Sequence, residues 1–149
     1  MEAKHTFLLE YFDKQLVLTK KLYEEAILVD VSEYDKSFVF AIRVQQFYTA
    51  LENLFKQIVK SFENYLENLQ LLTQMNIEIP MIRPTVISNK SVPLLEKTKA
   101  FRHSIEQTYD CELDERELIL IQKKLKEEYP HVESDLQKFR SFILKLSHD

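Results

Sequence analysis

Residues 97–114, KTKAFRHSIEQTYDCELD, gather Arg102, His103, Gln107 and Tyr109 within about two helical turns. A guanidinium can hold an anion through paired hydrogen bonds. An imidazole can take or give a proton near neutral pH. A glutamine can donate and accept hydrogen bonds but cannot exchange a proton there. Positions four apart share a helix face, so His103 lies over Gln107 and Asp110 extends that face. Arg102, Glu106 and Tyr109 form a neighbouring face by the same spacing. The plainest reading of these residues is structural. Arg102 and Glu106 would be an exposed ion pair, worth roughly a few tenths of a kcal/mol. His103 would be a solvated helix residue, and Tyr109 a core aromatic with a wet hydroxyl.

The rest of the chain holds weaker candidates. His5, His131 and His148 are far apart, with no ligand spacing among them, so neither a metal site nor a cofactor is expected. Cys111 sits between Asp110 and Glu112, where negative charge disfavours a thiolate nucleophile. A lone cysteine fits a reducing cytoplasm. The amino-terminal segment MEAKHTFLLEYF mixes charges into its apolar residues, unlike a signal peptide. The longest apolar run, Phe38 to Ile42, is far too short for a bilayer, so no membrane association is expected. The net charge of −4 argues against a broad basic surface for nucleic acid. Any RNA contact would be local, in a cleft with a few cations.

The elements carrying these residues read as helices. Among the 149 residues, 45% are hydrophobic and 30% charged, which suits one globular domain spanning residues 1–149. There is no glycine, which argues against phosphate-cradling loops and hairpin-rich sheets. Leu8, Phe12, Leu16, Leu22, Tyr23 and Ala26 predict a helix over about residues 4–29. Phe40, Val44, Phe47, Tyr48, Leu51, Phe55, Ile58 and Phe62 trace one stripe along a long second helix. Leu66, Leu69, Leu72 and Met75 continue it, as a separate helix after a kink near Asn64. NIEIPMIRPTVISNK, residues 76–90, has no helical period and reads as an ordered, extended connection. Ser91 is placed to cap a helix running to about Tyr109, with Pro93 in its first turn. Asp114 can cap the next, which stops at Pro130. A last helix carries Val132, Leu136, Phe139, Ile143 and Leu146. The fold class is all-α, a bundle of about five or six helices.

FRHSIEQTYDCELD, residues 101–114, resembles the HEPN superfamily, and within it the HepT-like ribonuclease toxins. The family pattern is an arginine, four residues, a histidine, one residue and a tyrosine, followed in this branch by E-L-D. Arg102 and Tyr109 occupy the outer positions, and Glu112, Leu113 and Asp114 supply the tail. IPMIRPTVIS, residues 79–88, is similar to the element preceding the motif helix. FYTALENLFKQIVKSF, residues 47–62, is similar to the family's long helix. The resemblance spans roughly residues 40–145. The family's histidine position holds Gln107.

The resemblance implies a HEPN-type bundle that forms a homodimer, with the Arg102 helices near the two-fold axis. It implies the toxin-type component of a HEPN–nucleotidyltransferase toxin–antitoxin module. The implied reaction is metal-independent RNA cleavage, in which the ribose 2′-hydroxyl attacks the neighbouring phosphate. Arg102 would hold the phosphate. Gln107 cannot supply the general acid–base help that typically contributes about 10²–10⁴-fold, and His103 is the available substitute. Tyr109 maps to the tyrosine that a partner nucleotidyltransferase modifies with AMP. The alternative is a non-catalytic HEPN dimer that keeps the partner surface. A plainer alternative is a helical interaction protein with no RNA role.

Overall fold

The computed structural model describes residues 3–62, 68–107 and 112–148. Five helices run in order: α1 (Ala3–Ile27), α2 (Tyr34–Phe62), α3 (Leu71–Met75), α4 (Val92–Gln107) and α5 (Glu115–Leu146). Among the described residues there is no strand, only an isolated bridge between Ile79 and Arg83. The all-α bundle expected from the periodicity is therefore observed. No described helix is long and apolar enough to cross a membrane.

The second helix is the axis of the bundle and touches each of the other four. Its stripe from Phe40 to Ile58 is buried as the spacing predicts. Phe62, at its end, is partly buried and packs edge-on against Phe139 and at a tilt against Phe142 of α5. Phe12 of α1 stacks on Phe139 as well. Tyr23 of α1 stacks on Tyr129 of α5, with centroids 4.0 Å apart. These aromatic contacts lock α1, α2 and α5 together before any polar contact is counted.

Two boundaries differ from the sequence reading: the short helix α3 begins only at Leu71, so Leu69 stands before it, and one helix replaces two at residue 130. Pro130 does not end a helix; α5 passes through it. Proline removes a backbone donor and crowds the preceding turn, at a cost of about 3 kcal/mol. The buried residues Leu118, Ile121, Leu125, Tyr129, Val132, Leu136, Phe139 and Ile143 keep one face across that point. Breaking the helix there would turn half of this stripe away from the core, so burial outweighs the proline penalty. Asp114 caps α5 as expected, its side chain accepting from the Arg116 N–H. Ser91 stands immediately before α4, its carbonyl accepting from the Leu95 N–H, while its hydroxyl donates to Asp135 of α5. The same carboxylate accepts from the Ser88 N–H and hydroxyl, which ties the start of α4 to α5. Residues 63–67, which include the proposed kink at Asn64, lie outside the described residues.

The connection over residues 76–90 is not helical, as expected, but it is not extended throughout: it doubles back in a turn over residues 80–82, closed by the bridge between Ile79 and Arg83, and is held by a buried arginine. Arg83 is 2% exposed. Its guanidinium donates to the carbonyls of Gln74, Ile77 and Pro84 at 2.9–3.1 Å. Burial pulls its pKa below the usual arginine value. Next to it, Met81 has φ of 69°, a left-handed conformation unusual for a side chain with a Cβ. The paired N–H and C=O groups of Ile79 and Arg83 close the turn around it. Arg83→Ala should therefore destabilise the fold by about 3 kcal/mol, because carbonyls now paired with a charge lose their donor. Chemical denaturation of the purified variant measures this. A loss within about 0.5 kcal/mol, the range of ordinary surface changes, would refute the clamp.

Candidate functional site

Arg102 lies on α4 facing α2. Its neighbours there come from one patch of α2, Tyr48, Thr49 and Glu52. Positions 48 and 52 are one turn apart and share a face, with Thr49 beside them. Arg102 Nη2 donates to Glu52 Oε2 at 2.8 Å, and Nη1 donates to Oε1 at 3.2 Å. Nη1 also donates to Thr49 Oγ1 at 3.1 Å. The guanidinium carbon sits 4.7 Å from the centre of the Tyr48 ring, a cation–π contact. Glu106, the partner expected from helical spacing, is 4.0 Å from Nε and is the weaker neighbour. Arg102 is thus the bridge between two helices, not only one half of an exposed ion pair.

The electrostatics follow from this geometry. Hydrogen bonds from Arg102 hold the Glu52 carboxyl below the ordinary value of 4.5, against the opposing effect of burial. The bonds to Glu52 in turn raise the Arg102 pKa. Burial pushes the Tyr48 hydroxyl up, with the Glu52 charge adding to it. Lys56, one turn further along α2, reaches Glu52 at 3.5 Å. The arrangement is one carboxylate shared by two cations, beside an uncharged phenol.

A cavity of about 390 Å³ opens on the α4 side of Arg102, lined by Glu96, Lys99, Ala100, Arg102, His103 and Glu106. Arg102 and His103 therefore share one concavity, although adjacent positions on a helix point about 100° apart. His103 is exposed. Gln107 is exposed at the end of α4 and is not among the residues described as lining the cavity. Tyr109, Asp110 and Cys111 lie outside the described residues. Among the described residues the guanidinium is not saturated. Its fork is filled by Glu52 and Thr49, while Nε–H and the second Nη2–H make no hydrogen bond to a described residue. Those donors can hold an anionic oxygen while Glu52 keeps the guanidinium in place.

Sequence reasoning did not find Tyr48, Thr49 or Glu52 as site residues. Tyr48 reads as one more member of an apolar stripe. Glu52 is the one carboxylate within TALENLF, residues 49–55. That is a detectable signal, but nothing in the local pattern points it at a residue fifty positions away.

A protein-family model described as a HepT-like protein matches residues 39–143. The match takes in nearly all of α2, the whole of α3 and α4, and most of α5. It agrees with the stretch 40–145 read from the motif and its flanks. No curated protein and no solved structure matches the chain.

The Glu52–Arg102 pair gives a pH-dependent contribution to stability. The folded carboxyl is depressed, so its stabilisation is present above its ordinary value of 4.5 and is lost as pH falls through the lower folded value. Glu52→Gln should cost about 1–3 kcal/mol near pH 7. The difference from wild type should shrink toward about pH 3. Urea unfolding of both proteins at the two pH values tests this, and an equal penalty at both would refute it.

Proposed function

The chain belongs to the HepT-like family, and from that membership and the Arg102 cavity we propose that it is the toxin-type component of a HEPN–nucleotidyltransferase toxin–antitoxin module. Its scaffold is that of a metal-independent endoribonuclease, and it acts as a homodimer. The observation that carries this reading is the placement of Arg102. It is braced by Glu52, Thr49 and Tyr48, has two N–H donors without a hydrogen bond among the described residues, and lines a cavity that also holds His103. A bound RNA phosphate would meet those donors. Arg102 would then offset the charge that develops as the 2′-hydroxyl attacks.

Proton transfer is where this site is deficient. Gln107 can orient a hydroxyl or a water but cannot accept its proton near pH 7. Cleavage by this chain is therefore weak. The second reading, a non-catalytic HEPN dimer that retains its partner surface, draws on two observations. Gln107 stands outside the described cavity lining, and Glu52 already fills the guanidinium fork. A nucleotidyltransferase partner is common to both readings.

Purified protein should cut single-stranded RNA poorly, and Gln107→His should raise the rate about 10²–10⁴-fold, the usual worth of general acid–base help. A gel assay on a labelled oligonucleotide reads both. No gain on Gln107→His would favour the non-catalytic module. Strong wild-type cleavage abolished by His103→Ala would show that His103 carries the proton, and the deficient-site reading would be wrong.

Tyr109 follows Arg102 by seven residues in the sequence. AMP attached to its hydroxyl would add a bulky anion able to compete for the arginine. With the cognate nucleotidyltransferase and ATP present, intact-mass spectrometry should show one AMP on the wild-type chain and none on Tyr109→Phe. An unmodified wild-type chain beside an active partner would count against the antitoxin link.

A further inference from the structure

The Arg102 cavity holds a second cation with no acid against it among the described residues. Lys99 lies about one turn before Arg102 and His103 on α4, and all three line the cavity. Side chains three or four positions apart on a helix are neighbours, with Cβ atoms about 5–6 Å apart. The Lys99 ammonium donates to Gln70 Oε1, just ahead of α3, at 3.2 Å. That acceptor is an uncharged amide oxygen, which orients the ammonium without neutralising it. The other cations nearby are matched by carboxylates. Lys97 faces Glu117 at 3.9 Å. Lys56 and Arg102 share Glu52.

We propose that Lys99 is a second phosphate contact of this site: a single RNA strand crosses α4 with one phosphate at Arg102 and the next at Lys99. The proposal rests on the RNA reading above and adds the strand's footprint and direction. The two cations have complementary parts. Arg102 has N–H donors without a hydrogen bond among the described residues, but Glu52 offsets its charge. Its rigid fork fixes where a phosphate oxygen sits. Lys99 supplies the charge that no described carboxylate matches. Its flexible stem lets a compact ammonium follow the neighbouring phosphate.

The acids of the cavity set the direction of the strand. Glu96 stands at one end of this face of α4 and Glu106 at the other, about 15 Å apart along the axis. These two acids balance Lys99 and Arg102, so no broad positive surface draws in a polyanion. A strand laid along α4 would bring a phosphate onto Glu96 or Glu106, where like charges repel. Positions 99 and 102 differ by about 60° around the helix and by only about 4.5 Å along it. The line joining their side chains therefore runs mainly across α4, and a strand on that line passes between the two acids. This suits a chain of net charge −4, in which any RNA contact has to be local.

Fluorescence anisotropy with a labelled, 2′-O-methylated RNA hexamer tests this on the full chain, since that strand keeps its phosphates and lacks the attacking hydroxyl. Lys99→Gln should weaken binding about three- to tenfold near about 50 mM salt. It should also reduce the slope of log affinity against log salt by about 0.7, the share of one phosphate contact on a single strand. Lys99→Arg should restore both. A lysine that only tied α4 to the start of α3 would leave the slope unchanged. Arg102→Gln is the reference for the site itself and should weaken binding as well. An unchanged slope in Lys99→Gln, with Arg102→Gln weakened, would overturn the second contact and leave the RNA reading intact. A wild type that does not bind the strand, or an Arg102→Gln variant that binds it as the wild type does, would overturn both.

Discussion

Everything in this molecule depends on burying one face of α2. That helix touches all the others, and its inward stripe, Phe40, Val44, Phe47, Tyr48, Leu51, Phe55 and Ile58, is almost wholly removed from water. Each large side chain buried in this way contributes about 1.5–3 kcal/mol. The helices around it are placed by what they can pack against it. Phe12 and Tyr23 bring α1 to α5 across its flank, and Phe62 closes the end of the packing on Phe139 and Phe142. The inward stripe has the broad helical period of a globular core. Glu52 and Tyr48 stand at its border with α4.

Arg102 belongs both to the packing and to the candidate chemistry. Its fork holds α4 to α2 through Glu52, and its ring contact with Tyr48 shields one face of the guanidinium from solvent. A free arginine on a helix surface would sample many rotamers and lose that freedom on binding an anion. Here that ordering is already made by the fold, which is how pre-organised donors gain their effect. The same brace limits what the site can offer, because a carboxylate holds the two best-aligned donors.

A chain without glycine has to make its turns by other means, and the means are visible. Asp30 accepts from the backbone and hydroxyl of Ser32 to turn the chain between α1 and α2. Asp135 gathers Ser88 and Ser91 where α4 begins. Met81 takes a left-handed conformation and projects fully into solvent, where its side chain meets nothing that it could clash with. Arg83, two residues on, donates to the carbonyls of Ile77, Pro84 and Gln74. At Asp30, Asp135 and Arg83 side-chain hydrogen bonds hold the turns, while Met81 turns by its own backbone conformation.

The sequence by itself determined the helices, because their signals are local. Apolar residues every three or four positions, a capping aspartate at position 114 and a stretch broken by Pro80 and Pro84 can be read without knowing what packs on what. It also determined the family, since motif, spacing and flanks lie on contiguous segments that the match over residues 39–143 covers. Local signals failed at Pro130, where a residue that normally breaks helices is overruled by the core it would have disrupted. Only the tertiary structure decided the surroundings of Arg102. Helical spacing offered Glu106, one turn away, as its partner. Folding instead brought Glu52, Thr49 and Tyr48, fifty or more positions distant, to within hydrogen-bonding and stacking range. Periodicity states which face of a helix is buried, but not against which residues. That is settled by the joint packing of α2, α4 and α5, which no single segment encodes.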